Sequence, residues 1–552
     1  MRCSRILLHT IAMSQSKNGL HWFRKGLRLS DNPGLMAALE LSPKNLYPVY
    51  CMDGDSYSLR HCTALRANFL VECLHDLDRQ LREKGSRLFV VSGDPVEVLP
   101  KLWEEWSIDF MTYDEDETGE RYATERDTTI QRLANAKDSR KVDLMPVASE
   151  TLHPLKFYVE KSGKKGVPNS MRSFETLFRS IGPVSKPLEA PGKLPSCSSN
   201  LKNDDRYSLP SKATDLPWPR QTPLNQVTPL WGPDDCKHLK PLVHGGETHA
   251  MKQLARNIGA KPKYVASYSK PHTSPTALTP STTALSPYLS SGCISARSVW
   301  WAIQKAVEES GVKNPSKPPV SLEGQLLWRD FNNLMAHSAG EKWSQMKGNR
   351  YCRFIPWDNN PDLLNAWKNG QTGYPWIDAC MVQLKNEGWI HHLGRHAVAC
   401  FLTRGDLWQS WEQGALHFES HLLDADYALN SFNWLWLSCS GFFYQYFRCY
   451  SPVAFQKKND PSGSYIRKHL PVLSKLPDKY IYEPWKAPIA VQKSAGIRIG
   501  VDYPKPIVDH ATISKENMSK MAEAYEALKA EASAYEPAKK KQKAQKQTKL
   551  KF

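Results

Sequence analysis

The sequence predicts two parts: an α/β domain built on a doubly wound parallel sheet, and an all-α domain that follows it. Three observations lead to this fold class. Short strand-like runs alternate with segments of helical periodicity over the first 150 residues. From Gly246 to about residue 450 the pattern is helical. Between these regions, residues 151–245 contain thirteen of the 39 prolines, which predicts a long connector because proline cannot continue helices or central strands.

The α/β region divides into alternating elements. Residues Leu65–Glu83 are predicted as a helix because apolar side chains recur there at helical spacing. The strand candidates are Gly19–Phe23, Asn45–Cys51, Arg87–Ser92, Ile108–Tyr113 and Asp143–Val147. No GxGxxG follows the first strand and no GxxxxGKS or GxxxxGKT occurs, so neither a dinucleotide nor a triphosphate fingerprint marks this domain. We predict a leader at 1–18, the α/β domain at 19–150, the connector at 151–245, the helical domain at 246–510 and a C-terminal helix and tail at 511–552.

The composition excludes some classes of protein. With 41% hydrophobic and 23% charged residues, the chain of 552 residues has an ordinary soluble globular composition. No run approaches the ~20 apolar residues that span a bilayer, so an integral membrane protein is not expected. The twelve cysteines form no CxxC pair and no short disulfide framework. A reduced nucleocytoplasmic compartment is therefore favoured over secretion.

The charge favours a polyanionic partner. The chain has 73 basic and 56 acidic residues, a formal charge of +17, and removing the seven lysines of its last 15 residues still leaves +10. A body this basic suits nucleic acid, although a merely soluble basic surface is the plain alternative. The Lys-rich tail is typical of a nuclear-localisation or nucleic-acid-contacting arm. Before it, residues Glu516–Glu531 favour one helix.

The first residues allow two interpretations. Residues Met1–Met13 are basic, short and mildly amphipathic, and the first acidic residue is Asp31. They resemble a weak organelle-targeting leader, or they are upstream sequence with Met13 as the real start. The second interpretation is slightly favoured, and the tail predicts a nuclear location, with cytoplasm and an organelle as alternatives.

Tryptophan is unusually frequent. Twelve of the 18 tryptophans lie between Trp300 and Trp436. A large helical core can use them as filler, or some of them stack on a flat ligand or pass electrons. Composition does not choose between these.

Three short motifs carry possible chemistry. The hydroxyl-rich run from Thr282 to Gly292 can present N–H and O–H groups to a phosphate, or is an ordinary helix cap. His392 and His396 share one helix face; zinc is disfavoured because a third ligand and an HExxH pattern are missing, which leaves surface histidines or a proton donor beside a cofactor. Asp424 and Asp426 fit a helix N-terminus, or one of them pairs with a buried arginine, for which Arg395 is the candidate.

Taken together, the motifs resemble the photolyase/cryptochrome family, closest to the (6-4) photolyases and animal-type cryptochromes. The similarity runs from His21-Trp-Phe-Arg-Lys to Asp502-Tyr-Pro-Lys-Pro-Ile-Val508, nearly the whole chain. The motifs that carry it are Trp376-Ile-Asp-Ala, Gly388-Trp-Ile-His-His-Leu-Gly-Arg-His396, Leu402-Thr-Arg-Gly-Asp-Leu-Trp408-Gln-Ser-Trp411-Glu, Asp424-Ala-Asp426 with Asn430 and Trp434, and Tyr450-Ser-Pro-Val.

The resemblance implies a fold and cofactors. It makes the first domain an antenna domain and the second the FAD-binding domain. An antenna chromophore, either 8-hydroxy-5-deazaflavin or methenyltetrahydrofolate, is possible in this family, but these residues do not identify one. The residues implied to contact FAD are Tyr268, Thr282, Thr283, Leu285, Ser286, Gln325, Arg329, Trp389, Arg395, Asp424, Asp426 and Asn430.

The resemblance also implies roles for other residues. His392 and His396 match the histidine pair that protonates a (6-4) lesion, and an Asn at 430, facing flavin N5, resembles the repair enzymes. Trp434, Trp411, Trp357 and Trp408 match the chain of tryptophans that reduces FAD by stepwise hopping to the surface. The residues expected to contact DNA are Lys270, Gln325, Trp328, Arg448, Tyr450, Lys457 and Lys458, with Arg467 also on the rim. Gly394 departs from the family's usual alanine and is expected to loosen its helix turn by up to ~1 kcal/mol.

These implications define the functional hypotheses. The first is a (6-4) DNA photolyase, driven by blue light and FAD, that acts on UV-damaged DNA and also serves as a photoreceptor. The alternative is an animal-type cryptochrome, a blue-light receptor or clock regulator with transcription or clock proteins as partners and no repair activity. A DNA-binding module without photochemistry is the least favoured. The protein is expected to be a monomer.

Overall fold

A computed structural model describes residues 17–56, 61–137, 140–213 and 240–548. Side chains after residue 530 are outside the description. The predicted leader up to residue 16, the proline-rich residues 214–239 and the lysine side chains of the tail therefore lie outside the described residues.

The N-terminal domain contains one parallel sheet. Its five strands have the order β3-β2-β1-β4-β5 and lie at β1 Asn18–Phe23, β2 Asn45–Met52, β3 Phe89–Ser92, β4 Phe110–Asp114 and β5 Asp143–Val147. All four neighbouring pairs are parallel, and Gly19 of β1 pairs with Leu46 on one side and Phe110 on the other. The strand order reverses between β1 and β4, which is where a doubly wound sheet opens a crevice. The predicted fold class is confirmed.

Helices cover both faces of this sheet. They are α1 Pro33–Glu40, α2 Ala64–Glu83, α3 Pro95–Glu105 and α4 Arg121–Ala134. Asn32 starts α1 by accepting a hydrogen bond from the Leu35 amide, and Asp94 does the same for α3 with the Val96 amide. A proline then occupies the first position of each helix, where the missing N–H costs nothing. These local signals fix where the crossovers begin.

The connector is more ordered than its prolines predict. It contains α5 Leu155–Ser162 and α6 Met171–Ile181, so its first third is largely helical, which its proline content did not predict. Pro168 is the single proline between these two helices, and most of the connector's prolines come after them. The connector is tied to the helical domain by Asp330, which accepts hydrogen bonds from the Tyr158 hydroxyl at 2.8 Å and the Leu152 amide at 3.0 Å.

The C-terminal domain is helical, as predicted. Its α-helices are α7 Glu247–Leu254, α8 Pro262–Ser267, α9 Ser286–Ser290, α10 Ala296–Glu309, α11 Leu322–Ala339, α12 Pro361–Lys368, α13 Pro375–Glu387, α14 His392–Cys400, α15 Trp411–His421, α16 Tyr427–Leu437, α17 Ala454–Lys457, α18 Ser464–His469, α19 Ile489–Ala495 and α20 His510–Thr548. In the described part of the chain, no helix is long and apolar enough to cross a membrane.

The loop between β1 and α1 fastens the two domains together. Arg28 donates to the Gly292 carbonyl at 2.8 Å, and the buried carboxylate of Asp31 pairs with Arg297 at 2.6 Å. Glu247, at the start of α7, accepts the Leu29 amide at 2.7 Å. Because these partners are more than 200 residues apart in sequence, the loop positions the first helices of the C-terminal domain.

Helix α20 begins earlier than the sequence predicted. It starts at His510 rather than Glu516 because Asp509 accepts the Thr512 amide at 3.1 Å. His510 pairs with the buried Asp406 at 2.6 Å, and Asn517 donates to the Gly405 carbonyl at 3.3 Å. The helix is therefore docked against the segment that follows α14.

Candidate functional site

The predicted histidine pair lies on the first turns of α14. The rings of His392 and His396 are 5.8 Å apart between centroids, and His396 Nδ1 lies 3.1 Å from the Tyr450 hydroxyl. His391 caps the helix, with its Nδ1 accepting the Leu393 amide at 3.2 Å. The structure thus brings together His392, His396 and Tyr450, which the sequence assigned separately to catalysis and DNA contact.

Gly394 does not interrupt this helix. The helix runs unbroken through Gly394 to Cys400, and a Cβ added at Gly394 would lie 3.2 Å from Cys380 Sγ. The sulfur of Cys380 therefore takes up the space that an alanine methyl group needs. The glycine is explained by close packing on α13 rather than by a loosened turn.

The histidines are neutral at pH 7 in this structure. Burial, followed by the positive charges of Lys270 and Arg395, lowers the pKa of His396 to about 3 and that of His391 to about 4. The same causes, with Lys270 the first after burial, depress the pKa of His392 further. Burial beside Arg395 also lowers the pKa of Lys270 to about 8. Lys270 therefore carries a positive charge beside the histidines at pH 7, and the proton-donor role of His392 and His396 stays a prediction.

The ion pair implied over the flavin is present. Arg395 Nη2 lies 2.8 Å from Asp424 Oδ2, and the Arg395 Nε donates to the Ile390 carbonyl at 3.0 Å. The second oxygen of Asp424 is buried and has no hydrogen-bond partner among the described residues. A buried, unpartnered carboxylate oxygen is costly without a ligand that donates to it. The residues therefore fit a polar ring such as that of FAD.

The other acidic candidate has a structural function. Asp426 caps α16 by accepting the Leu429 amide at 3.0 Å, as the helix-terminus alternative predicts, and its implied contact with FAD stays a prediction. Asn430, one turn into α16, donates through Nδ2 to the Ala415 carbonyl at 2.9 Å. That bond orients the side chain and leaves the amide oxygen available as an acceptor.

The hydroxyl-rich run forms a folded corner before α9. The Thr283 carbonyl accepts hydrogen bonds from the side-chain amides of Gln253 at 3.2 Å and Asn257 at 3.1 Å, so side chains of α7 and of the turn after it hold the run in place. Thr282 and Thr283 are half-buried, Leu285 is buried, and Ser286 is exposed at the first position of α9. Tyr268 is buried nearby against Tyr264, with ring centroids 5.8 Å apart.

The α11 candidates point in different directions. Arg329 donates to the Glu150 carbonyl at 2.6 Å and approaches the Leu289 carbonyl at 3.5 Å, so its guanidinium is engaged between the two domains. Gln325 donates to the Pro319 and Ser321 carbonyls, both at 3.2 Å. Trp328 is half-buried beside Trp436, 5.7 Å away.

The four tryptophans of the implied electron relay are mostly buried. Trp434 and Trp411 are 1% and 0% exposed, and Trp434 packs on Phe418 and Trp367. Trp357 and Trp408 lie 4.8 Å apart. Trp408 is only 3% exposed, so the expected hop to the surface does not end on an open side chain. Helix α20 covers it.

The predicted basic rim is partly engaged within the protein. Arg467 pairs with Asp478 at 2.7 Å and donates to the Leu476 carbonyl, which makes it a structural residue. Lys457 lies 4.0 Å from Glu483, while Arg448 and Lys458 are exposed. Trp389 is 7% exposed and meets the edge of His391.

Sequence reasoning missed two features. The first is Trp367, which contacts Trp434 and was treated as one core tryptophan among many. The second is a cavity between the domains, lined by Trp22, Lys25, Arg126, Glu120 and Ser291 among others. Its position at the β1–β4 crevice was predictable from strand order alone. In the described ranges no three His, Cys, Asp or Glu residues are placed to hold a metal ion.

Comparison with known proteins agrees with this geometry. Residues 19–191 match the family described as DNA photolyase, and residues 321–523 match the FAD binding domain of DNA photolyase. Cryptochrome-1 of Gallus gallus is 42% identical over 93% of this chain and 79% of the relative, and Cryptochrome-2 of Gallus gallus is 42% identical over 92% and 84%. The chain therefore belongs to the photolyase/cryptochrome family and has its FAD-binding domain.

Solved structures give the same result. A bacterial class III photolyase from Agrobacterium tumefaciens superposes with a TM-score of 0.75 at 27% identity, covering 94% of this chain and all of the other. A Synechocystis cryptochrome also gives 0.75, at 24% identity over 92% of this chain and all of the other, and so supports the fold.

Proposed function

We propose that this protein is a blue-light photoreceptor of the animal cryptochrome type, in which light drives electron transfer to bound FAD. The relatives at 42% identity support the receptor class. The observations that carry the photochemistry are the burial of Trp434 and Trp411 and the Arg395–Asp424 pair, whose second carboxylate oxygen is unpartnered among the described residues. Bound FAD would supply the light absorption and the one-electron chemistry.

The chain's own residues give that chemistry its direction. Arg395 neutralises Asp424 and holds it where its free oxygen can accept a hydrogen bond. Trp434, Trp411, Trp357 and Trp408 are then the electron donors, and burial of the first two excludes water from the inner steps. The paired rings of Trp357 and Trp408 form the outer end.

Photoreduction of FAD-loaded protein tests this proposal. Under blue light with an external reductant, the wild type should accumulate reduced flavin. In Trp434→Phe the flavin should be photoreduced many-fold more slowly, because phenylalanine is much harder to oxidise than tryptophan. The control is Trp301→Phe. Trp301 lies on α10, outside the proposed relay, and its indole N–H donates to the Ser185 carbonyl. Normal photoreduction in Trp434→Phe would contradict the relay.

The histidine cluster favours a second function, repair of (6-4) pyrimidine–pyrimidone lesions in DNA. His392, His396 and Tyr450 are grouped beside Lys270, and a flipped lesion reduced by one electron needs a proton from such a group. The neutral imidazoles donate through an N–H, and the cationic Lys270 beside them can replace the proton. The phosphates of DNA would raise the pKa of each histidine by offsetting the local positive charge.

The repair assay separates the two functions. Photoreduced protein is mixed with an oligonucleotide that carries one (6-4) lesion and is illuminated with near-UV light. Loss of the lesion in the wild type, abolished in His392→Ala and retained in the surface control His249→Ala, would support the enzyme. An unchanged lesion with normal flavin photoreduction would leave the receptor function alone.

Partners and location follow from the basic surface and the tail. We propose UV-damaged DNA or clock and transcription proteins as partners, and the nucleus as the location, because seven lysines lie in the last 15 residues. Deleting residues 538–552 from a fluorescently tagged chain should move it out of the nucleus. An unchanged nuclear distribution would contradict this role of the tail.

A further inference from the structure

The outer end of the tryptophan relay is enclosed by the C-terminal helix. Trp408 packs in a small core with Ile355, Cys439, Met521 and Ala524, the last two of which lie on α20. The exposed fraction of Trp408 is 3%. The electrostatic environment of this tryptophan is therefore set largely by side chains of α20.

One of these side chains is a cation placed over the indole. Lys520 Nζ lies 5.1 Å from the centre of the Trp408 ring. This contact favours the neutral indole, because the face of an aromatic ring is negative. When the indole has lost an electron, the same ammonium group faces a positive charge and the contact becomes repulsive.

The next tryptophan does not experience this contact in the same way. Trp357 lies 4.8 Å from Trp408. Among the described residues, no Lys or Arg side chain lies over the Trp357 ring as Lys520 lies over that of Trp408. Asp358, which follows Trp357, lies 3.9 Å from the Lys520 ammonium and is exposed. The acidic side chain reduces the field of Lys520 without cancelling it, since 62% of its surface is in water.

Neither indole can relieve the charge by passing a proton to a base. The Trp408 Nε1–H donates to the Pro356 carbonyl at 2.9 Å, and a carbonyl does not take the proton. The Trp357 Nε1 is buried and has no hydrogen-bond partner among the described residues. The electron vacancy therefore remains a cation shared between the two rings, and their relative energies decide where it resides.

We propose that Lys520 is a tuning residue of the relay: its charge disfavours the oxidised form of Trp408 and retains the electron vacancy on Trp357. This inference rests on the proposed photoreceptor function. The balance is simple, since one electron leaves the tryptophan pair for the bound flavin and no bond or proton changes place. A vacancy on Trp357 lies one step nearer the flavin in the relay order and recombines sooner.

The size of the effect follows from Coulomb's law. Two unit charges 5.1 Å apart in a medium as polar as water change an equilibrium by about fourfold at 25 °C. Lys520 also repels a positive charge on Trp357, whose ring is 4.8 Å from that of Trp408, so about fourfold is the upper limit for the equilibrium between the two rings. Lys520 is 43% exposed, so the water-like value is the appropriate scale.

Transient absorption of the FAD-loaded full-length protein tests the proposal. After a blue flash, Lys520→Gln should lengthen the lifetime of the tryptophan radical by up to about fourfold, and Lys520→Arg should keep the wild-type lifetime. Asp358→Asn, which removes the compensating charge, should shorten it. The control Lys529→Gln changes a lysine of α20 that is exposed and paired with Glu526, and it should have no effect.

A double-mutant cycle assigns the effect to Trp408. In a Trp408→Phe background, Lys520→Gln should no longer change the lifetime of the radical. An unchanged or shortened lifetime in Lys520→Gln, or an effect that persists without Trp408, overturns the inference. A wild type that forms no tryptophan radical overturns the proposed photochemistry instead, so the two failures are distinguishable.

A measurement without flavin checks the contact itself. In lysine-labelled apoprotein, the ring current of Trp408 should shift the ε-methylene proton resonances of Lys520 upfield, and Lys520→Gln should remove that set. If no shifted set is found, Lys520 does not lie over the ring and the inference is wrong.

Discussion

Gly414→Ala tests whether the ring of Trp434 is held in place by its neighbours. Gly414 lies on α15 against the outer edge of the indole. A Cβ at this position would be 2.2 Å from Trp434 Cη2 and 2.7 Å from Leu402 Cδ2. Ordinary contact begins at 3.4 Å, so the indole would have to move by more than an ångström into a core that is already closed.

Overpacking of this kind costs about 1–3 kcal/mol, and we expect that decrease in the free energy of unfolding by denaturant. Flavin photoreduction should also slow, although Trp434 is still present, because its ring is displaced. In a Trp434→Phe background the closest clash is removed and the contact with Leu402 Cδ2 remains, so Gly414→Ala should cost less than it does with tryptophan at 434. Gly259→Ala, where a Cβ has no neighbour within 4 Å, is the matched control.

The result that would refute this reasoning is additivity. If Gly414→Ala lowers stability equally with tryptophan and with phenylalanine at 434, the coupling between the sites is absent. The ring would then not be held by α15, and its position in the relay would need another explanation.

Three other predictions concern the site around α14. Arg395→Met leaves the buried carboxylate of Asp424 without a charged partner, so purified protein should retain much less flavin absorbance; full retention would refute the fit. Gly394→Ala should raise the free energy of unfolding by about 1 kcal/mol through helix propensity, but only when Cys380→Ala makes room for the methyl group. Chemical denaturation can measure this difference. An equal increase with Cys380 in place would show that its sulfur is no obstacle. The pKa of His396 is about 3 in the folded protein and ~6.5 in the unfolded chain. Between about pH 3 and pH ~6.5, unfolding therefore adds a proton to His396, and the free energy of unfolding falls as the pH falls below ~6.5. At pH 5 this amounts to about 2 kcal/mol, and His396→Gln should flatten the pH dependence measured by denaturant titration; an unchanged slope would contradict it.

Much of the fold was predictable from local patterns. The apolar run of β5 and the helical spacing of α2 specify their own conformations, so their bounds agree with the structure to within a residue. The start of α20 was misplaced because its cap, Asp509, precedes a first turn in which Thr512 and Ile513, both β-branched, lower the helix propensity. Helix α6 was missed because the prolines nearby dominated the composition of a segment that locally avoids them.

The site was less accessible to sequence reasoning. Motifs identify Arg395 and Asp424 as a pair, and the structure joins them at 2.8 Å. They do not reveal that Arg329 binds the Glu150 carbonyl, because that partner comes from the other domain. The protonation of the histidines depends on burial and on Lys270, more than a hundred residues away, and no spacing rule contains that information.

The loop after β1 makes the molecule difficult to divide. Asp31 is fully buried against Arg297, and Arg28 reaches the Gly292 carbonyl. A chain cut between residues 151 and 245 would leave Arg297 without its carboxylate and Glu247 without the amides that it accepts. We expect the flavin domain expressed alone to be insoluble or partly unfolded, and mixing it with the separate α/β half to restore it. We therefore expect the two domains to unfold as a single cooperative unit, in which the α/β half is a structural subunit of the flavin half whether or not it carries a pigment.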